Sequence, residues 1–209
     1  MPTRREFCER ILRKVYGDQP SADSSITINL VNSYIGVGLG IAARNAYRDS
    51  IQLDGISYVN NSFYTTFKGI TFAKNEPFLY QMTLPQIPIG IGKNEGIASL
   101  NVKTADGTLA YDAIPVSANQ VAYFKELSRK PNKLMYYSEG TFIYVFSLIQ
   151  LNIGYTANVR MISGGDSTNL DSILNIPADY EATCFDYCEE KLRQERMTSK
   201  DLISDGNDN

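Results

Sequence analysis

The chain has 209 residues, 43% of them hydrophobic and 21% charged, with a formal net charge of −3. A chain of this size removes about 70% of its unfolded surface from water, so we expect one or two folded domains. A pI near 5.1 argues against a protein that binds nucleic acid tightly, because neutralising the phosphates needs clustered Lys and Arg. The basic run Arg4, Arg5, Arg10, Arg13 and Lys14 leaves two alternatives: a phosphate-binding patch, or a helix side facing solvent or a subunit.

Scarce cysteine and absent histidine limit the chemistry of the chain. Without His, the usual Ser-His-Asp and Cys-His catalytic sets cannot form. Cys184 and Cys188 share a helical face, but structural zinc needs four ligands, so we expect them and Cys8 to be buried thiols. We predict no catalytic residue, no cofactor and no metal. The longest apolar run, residues 35–43, is too short for a membrane span, and no signal-peptide core precedes it, so we expect assembly in a cytoplasm.

The first 50 residues are predicted to form helices. Thr3 and Glu6 make a capping box, an apolar stripe follows it, and Gly17 ends the first helix. Helical spacing of apolar residues indicates a second helix over about residues 26–50.

A β-rich core is predicted over residues 51–176, because the hydrophobic period shortens to two and aromatic and β-branched residues take over. The runs 63–67 and 78–84 are interpreted as paired strands. Asp106-Gly107 marks a hairpin between strands 97–103 and 109–116. Ser117 and Gln120 form a second capping box, which opens a short helix near residues 118–128. Strands are then expected at 133–138, 141–150 and 153–163, with the nearly continuous apolar run 142–151 in the middle of the core.

A C-terminal helix is predicted over residues 177–197, because Pro177 is a favoured first helical residue and an apolar face follows it. Residues 198–209 are polar and are predicted to be a disordered tail. Together these elements predict an α+β fold. It has an antiparallel β-sheet or sandwich core, N-terminal helices, one short mid-chain helix and a C-terminal helix.

Two glycine-rich segments superficially resemble nucleotide-binding loops. In Gly36-Val37-Gly38-Leu39-Gly40 the third glycine falls one residue too early for a dinucleotide fingerprint. The alternative is helix packing, in which Gly36 and Gly40 share a face that another backbone can approach. Gly90-Ile91-Gly92-Lys93-Asn94 lacks the first glycine and the Ser or Thr of a phosphate-binding loop, and therefore indicates an irregular loop.

Several ordered motifs, spread over about residues 2–190, carry a family resemblance. They are Pro2-Thr3-Arg4-Arg5-Glu6-Phe7, Leu53-Asp54-Gly55-Ile56, the segment from Tyr58 to Lys68, the segment from Leu84 to Gly92, and Tyr155-Thr156-Ala157-Asn158-Val159. With these motifs the chain resembles the neck and tail ring proteins of crAss-like podoviral bacteriophages. The resemblance implies a non-enzymatic structural protein of the virion. It would form a portal-matched ring, expected to be twelvefold, in the head-to-tail connection.

The implied partners are identical copies, the portal or adjacent neck and tail rings, and viral DNA that passes without specific binding. Subunit contacts are predicted on the first and last helices, where each residue has intramolecular core packing as the alternative. The candidates are Phe7, Ile11, Val15, Tyr180, Tyr187 and Leu192. The 14 tyrosines leave a second functional alternative, a virion or host-surface β-rich module that binds a glycan.

Overall fold

The computed structural model describes residues 1–17, 27–55, 59–91, 96–107, 110–126 and 133–204, except the side chains of residue 54 and of residues 196–204. The chain divides into two units. Met1–Phe63 joins Gly164–Asn209 in a helical unit, and Tyr64–Ser163 forms a β unit. The predicted α+β class, with N-terminal helices, a mid-chain helix and a C-terminal helix, is confirmed.

The helical unit begins with helix α1, Arg4–Tyr16, whose start follows from local side-chain chemistry. The backbone N–H of Glu6 donates to Thr3 Oγ1 at 3.2 Å, and the backbone N–H of Thr3 donates to Glu6 Oε2 at 2.9 Å. This reciprocal pair is the predicted capping box. The helix ends at Gly17, whose φ of 78° favours glycine.

Helices α2 and α4 are both longer than predicted. Helix α2 spans Ile28–Asp54 and ends at Gly55, a left-handed cap whose N–H donates to the Ile51 oxygen at 3.1 Å. Residue 26, the predicted start, lies outside the described residues. Helix α4 spans Ala178–Ser204, so residues 198–204 are helical and not part of a disordered tail. They contain neither Gly nor Pro to end the helix, and residues 205–209 lie outside the description.

The segment before α4 is joined to the start of the chain by backbone hydrogen bonds. The N–H of Arg4 donates to the Ser172 oxygen at 3.0 Å, and the N–H of Leu174 donates to the Pro2 oxygen at 3.0 Å. Thr3 and Ile173 form an isolated antiparallel bridge. These bonds fix the first residues of the chain beside the loop that leads to α4.

The β unit contains two sheets. Its strands are β1 Tyr64–Thr71, β2 Ala73–Glu76, β3 Leu79–Thr83, β4 Ile97–Lys103, β5 Ala110–Asp112, β6 Ile114–Pro115, β7 Met135–Glu139, β8 Phe142–Phe146 and β9 Thr156–Ile162. One sheet has the order β1-β9-β4-β5, and the other has the order β2-β3-β8-β7-β6. Neighbouring strands are antiparallel except β6 and β7, which are parallel.

One apolar core of the β unit contains side chains from both sheets, as expected of a sandwich. Leu100, Val102 and Val159 come from the four-stranded sheet, while Ile143 and Val145 come from the five-stranded one. Strand β8 is the middle strand of its sheet, as the run 142–151 predicts. The strand stops at Phe146, however, and the rest of the run lies beyond it.

Two predicted strand arrangements are wrong. The runs 63–67 and 78–84 are not paired, because β1 pairs with β9 in one sheet and β3 pairs with β2 and β8 in the other. The predicted strand 109–116 is two strands, since the chain changes sheet at Ala113. Backbone alternation indicates a strand but does not identify its partner, which is decided by long-range packing.

Two local predictions in the β unit are confirmed, the hairpin and the mid-chain helix. Strands β4 and β5 pair across a turn in which Gly107 has a φ of 72° and its N–H donates to the Thr104 oxygen at 2.9 Å. Helix α3, Ala118–Glu126, begins with the predicted box between Ser117 and Gln120; residues 127 and 128 lie outside the description. No helix in the described part of the chain is both long and apolar enough to cross a membrane.

Candidate subunit interface

The predicted interface residues of α1 lie in the core of the helical unit. Phe7 and Ile11 have no exposed surface, and Val15 is 4% exposed. The Phe7 ring meets the Phe185 ring of α4 edge to face, with centroids 5.8 Å apart. The structure therefore shows the intramolecular alternative for these three side chains.

The candidates on α4 are also used within the chain. Leu192 is fully buried. Tyr180 donates its hydroxyl to Asp49 Oδ2 at 2.8 Å, and this hydrogen bond raises the pKa of the tyrosine. Tyr187 packs beside Gly38 of α2, where an added Cβ would lie 3.3 Å from its ring. A neighbouring subunit could reach Leu192 only after the helices separate.

Most of the basic run of α1 forms ion pairs. The pairs are Arg5 with Asp171, Arg10 with Glu181, Lys14 with Glu189, and Arg13 with Glu9 of its own helix. The hydrogen bond from Lys14 lowers the pKa of Glu189. Such exposed pairs add little to the stability of the fold, because water and salt screen them. Carboxylates already occupy these cations, which disfavours the phosphate-binding alternative.

Arg4 is the exception, because its side chain is 1% exposed. Its Nη1 donates to Asn32 Oδ1 at 2.6 Å, while its Nε has no partner in the structure. Burial lowers the pKa of this guanidinium, and the nearby Cys8 and Asp166 oppose that effect. Asn32 in turn donates to the Ser167 oxygen at 2.9 Å. Arg4 and Asn32 therefore connect α1, α2 and the loop before α4.

The three cysteines are free and buried, as expected. Burial raises the pKa of the Cys8 thiol to about 11. The pKa of the Cys184 thiol is also raised, mainly by a hydrogen bond with Cys188 and to a smaller extent by burial. Among the described residues, no cluster of three or more His, Cys, Asp or Glu side chains could hold a metal ion. The thiols act here as small apolar side chains.

A groove in the β unit, which we name the apolar groove, collects large hydrophobic side chains at the surface. Its members Tyr111, Ile114, Leu148 and Ile149 are 37%, 45%, 42% and 37% exposed. The groove has a volume of about 470 Å³, and Asp112 and Lys133 also line it. Clustered exposed apolar side chains of this kind mark interaction surfaces, whereas scattered ones do not.

Two local features build the apolar groove. On one side the chain changes from β5 to β6 at Ala113, which brings the edges of both sheets to the groove. On the other side, buried Ser147 forms the turn after β8. Its Oγ accepts from the Ile149 N–H at 3.0 Å and donates to the Ile149 oxygen at 3.0 Å. This turn leaves Leu148 and Ile149 exposed.

Sequence reasoning did not find the apolar groove. Leu148 and Ile149 belong to an apolar run that predicts burial, and Tyr111 and Ile114 belong to a predicted hairpin strand. A signal existed at Ser147, since a small hydroxyl residue inside an apolar run can bond its own backbone and end a strand. No known protein-family model matches the chain, and no curated protein sequence matches it either.

Proposed function

We propose that this protein is a structural component of a bacteriophage virion that forms a ring in the neck or tail. Copies of the chain associate head to tail around the channel through which the genome is packaged, retained and ejected. The sequence motifs support the assignment to a neck or tail ring. The apolar groove is the observation that supports self-association, because it gathers exposed apolar side chains, whereas the α1 candidates and Leu192 are buried.

A closed ring of identical copies needs two different contact surfaces on each copy. The apolar groove supplies one. Apolar residues for the second contact surface lie outside the groove: Ile87 is 64% exposed and Phe142 is 38% exposed. Ile87 shares a cavity of about 310 Å³ with Gly140 of the β7–β8 turn, so it lies near the start of β8, where Phe142 is found.

The assembly state of the purified full-length chain tests the proposal. Native mass spectrometry and negative-stain electron microscopy should show a ring, alone or on a portal template. Leu148→Glu should weaken self-association at least about 30-fold, because truncating a central contact commonly costs 2 kcal/mol or more. Ile153→Glu is the matched control, since Ile153 is 62% exposed in the same unit but does not line the groove.

Two results would overturn the proposal. One is a chain that stays monomeric at every concentration, with and without a portal. The other is absence of the protein from purified virions by mass spectrometry. If Leu148→Glu and Ile153→Glu reduced assembly equally, the groove would not be the contact surface.

A further inference from the structure

A second concavity in the β unit, which we name the tyrosine cleft, differs from the apolar groove in its lining. It has a volume of about 610 Å³, within the usual range of small-molecule sites. Its lining residues include Ser117, Gln120, Tyr136, Tyr137 and Glu139, which carry hydroxyl, amide and carboxylate groups. Its polar side chains suit a small polar ligand better than they suit the apolar surface of a protein partner.

The tyrosine cleft exists because β6 is short. Strand β6 pairs only with Met135 and Tyr136, and the chain then leaves the sheet to enter α3. The capping box causes this departure: the Ser117 N–H donates to Gln120 Oε1 at 2.8 Å, and the Gln120 N–H donates to Ser117 Oγ at 3.3 Å. The second half of β7 therefore extends past the end of β6 and forms one wall.

The walls of the cleft are held in place before any ligand arrives. The Tyr137 ring stacks on the Tyr144 ring of β8, with centroids 4.9 Å apart and planes 16° apart. Tyr136 is 5% exposed and belongs to the sandwich core. Side chains fixed in this way lose little conformational freedom on binding, which favours affinity.

The polar groups point to one ligand class. Hydroxyl groups donate and accept, the Gln120 amide can donate, and the Glu139 carboxylate accepts. No Lys or Arg is among the described residues that line the cleft, which disfavours phosphates and other anions. The Tyr137 hydroxyl is protonated at neutral pH, as in any ordinary tyrosine, and burial, with the carboxylates of Glu139 and Glu76 among the lesser causes, raises its pKa further.

We propose that the tyrosine cleft binds a neutral oligosaccharide. Tyr137 is the half-buried tyrosine of the cleft, and a tyrosine combines an apolar ring with a polar hydroxyl, which suits a sugar ring and its hydroxyl groups. Glu139 and Tyr137 supply hydrogen bonds that fix the orientation of the sugar. This activity is independent of ring assembly and would give an assembled particle repeated sugar-binding sites.

Sugar binding by the full-length chain tests the inference. Maltohexaose, cellohexaose and chitohexaose serve as neutral probes, and polygalacturonate serves as the anionic one, in saturation-transfer NMR and calorimetric titration. We expect at least one neutral probe to bind at millimolar concentration or below, and polygalacturonate to bind more weakly. Tyr137→Phe keeps the ring but removes the hydroxyl, so it should weaken binding about two- to tenfold, as should Glu139→Gln.

Tyr123→Phe is the matched control, because Tyr123 is 63% exposed on α3 and does not line the cleft. Binding by none of the neutral probes, or binding that neither cleft variant changes, would overturn the inference. Measuring the assembly state of the same samples separates this result from the proposed function. A ring that binds no sugar refutes the inference alone, whereas a monomer that binds sugar supports it and counts against the ring.

Discussion

Two glycines of α2, only two positions apart, should respond in opposite ways to alanine. A Cβ added at Gly38 would lie 3.0 Å from Cys184 Sγ and 3.1 Å from the Cys184 carbonyl oxygen of α4. A Cβ added at Gly36 would meet nothing within 4 Å. Gly38, unlike Gly36, therefore lets α4 approach α2 closely.

The magnitudes follow from two effects. Replacing Gly by Ala inside a helix stabilises it by about 1 kcal/mol, and this gain is the same for both variants. Overpacking a tight contact costs about 1 to 3 kcal/mol, and only Gly38→Ala has this cost. We expect Gly36→Ala to raise the free energy of unfolding by about 1 kcal/mol. The free energy of unfolding of Gly38→Ala should be about 1 to 3 kcal/mol lower than that of Gly36→Ala.

Urea unfolding followed by far-UV circular dichroism measures this difference. The signal suits the purpose, because α1, α2 and α4 belong to the helical unit and the chain has no Trp for fluorescence. Gly38→Ala combined with Cys184→Ala should recover only part of the loss, since the carbonyl contact stays. Equal stabilisation by Gly36→Ala and Gly38→Ala would refute the close approach at Gly38.

Three further predictions concern an ion pair, a thiol and two turn glycines. Because Glu189 has a lowered pKa, its pair with Lys14 stabilises the fold above the ordinary carboxyl pKa of 4.5. Lys14→Met should therefore lower the urea midpoint near neutral pH, and the difference should vanish in strong acid as Glu189 protonates. Cys8, with a pKa of about 11, should resist iodoacetamide in the folded chain and react once urea unfolds it; rapid labelling without urea would contradict its burial. At Gly107 an added Cβ would have open space, but the φ of 72° is left-handed and unfavourable for alanine. Gly107→Ala should therefore lower the free energy of unfolding by about 1 to 2 kcal/mol. Gly96→Ala, whose Cβ would lie 1.9 Å from a backbone oxygen, should cost about 2 to 6 kcal/mol by thermal unfolding, and similar losses for both glycines would contradict the clash.

Features that depend on neighbouring residues were predictable from the sequence. Both capping boxes form as expected, because their partners lie three residues apart and need no tertiary contact. The Asp106-Gly107 hairpin also forms, since a short turn sets its own pairing. The α+β class follows from the change of hydrophobic period along the chain.

Features that depend on distant residues were not predictable. The partner of β1 is β9, far along the chain, and period-two alternation does not encode that choice. The sequence placed close packing at Gly36 and Gly40, whereas Gly36 has open space and a tight contact lies at Gly38, because the phase of a helix is set by the helix it packs against. The apolar stripe of α1 was visible, but a stripe cannot distinguish its own core from a neighbouring subunit.

The order of the two units along the chain has a consequence for biosynthesis. The β unit is one uninterrupted segment, Tyr64–Ser163, while the helical unit is made from a segment before it and a segment after it. A ribosome therefore synthesises the whole β unit before it begins α4. Until then α1 and α2 lack the helix that covers Phe7 and Gly38, and their apolar sides are open to other molecules. Chains released from the ribosome after residue 177 should consequently hold a protease-resistant sandwich and bind chaperones through their first two helices.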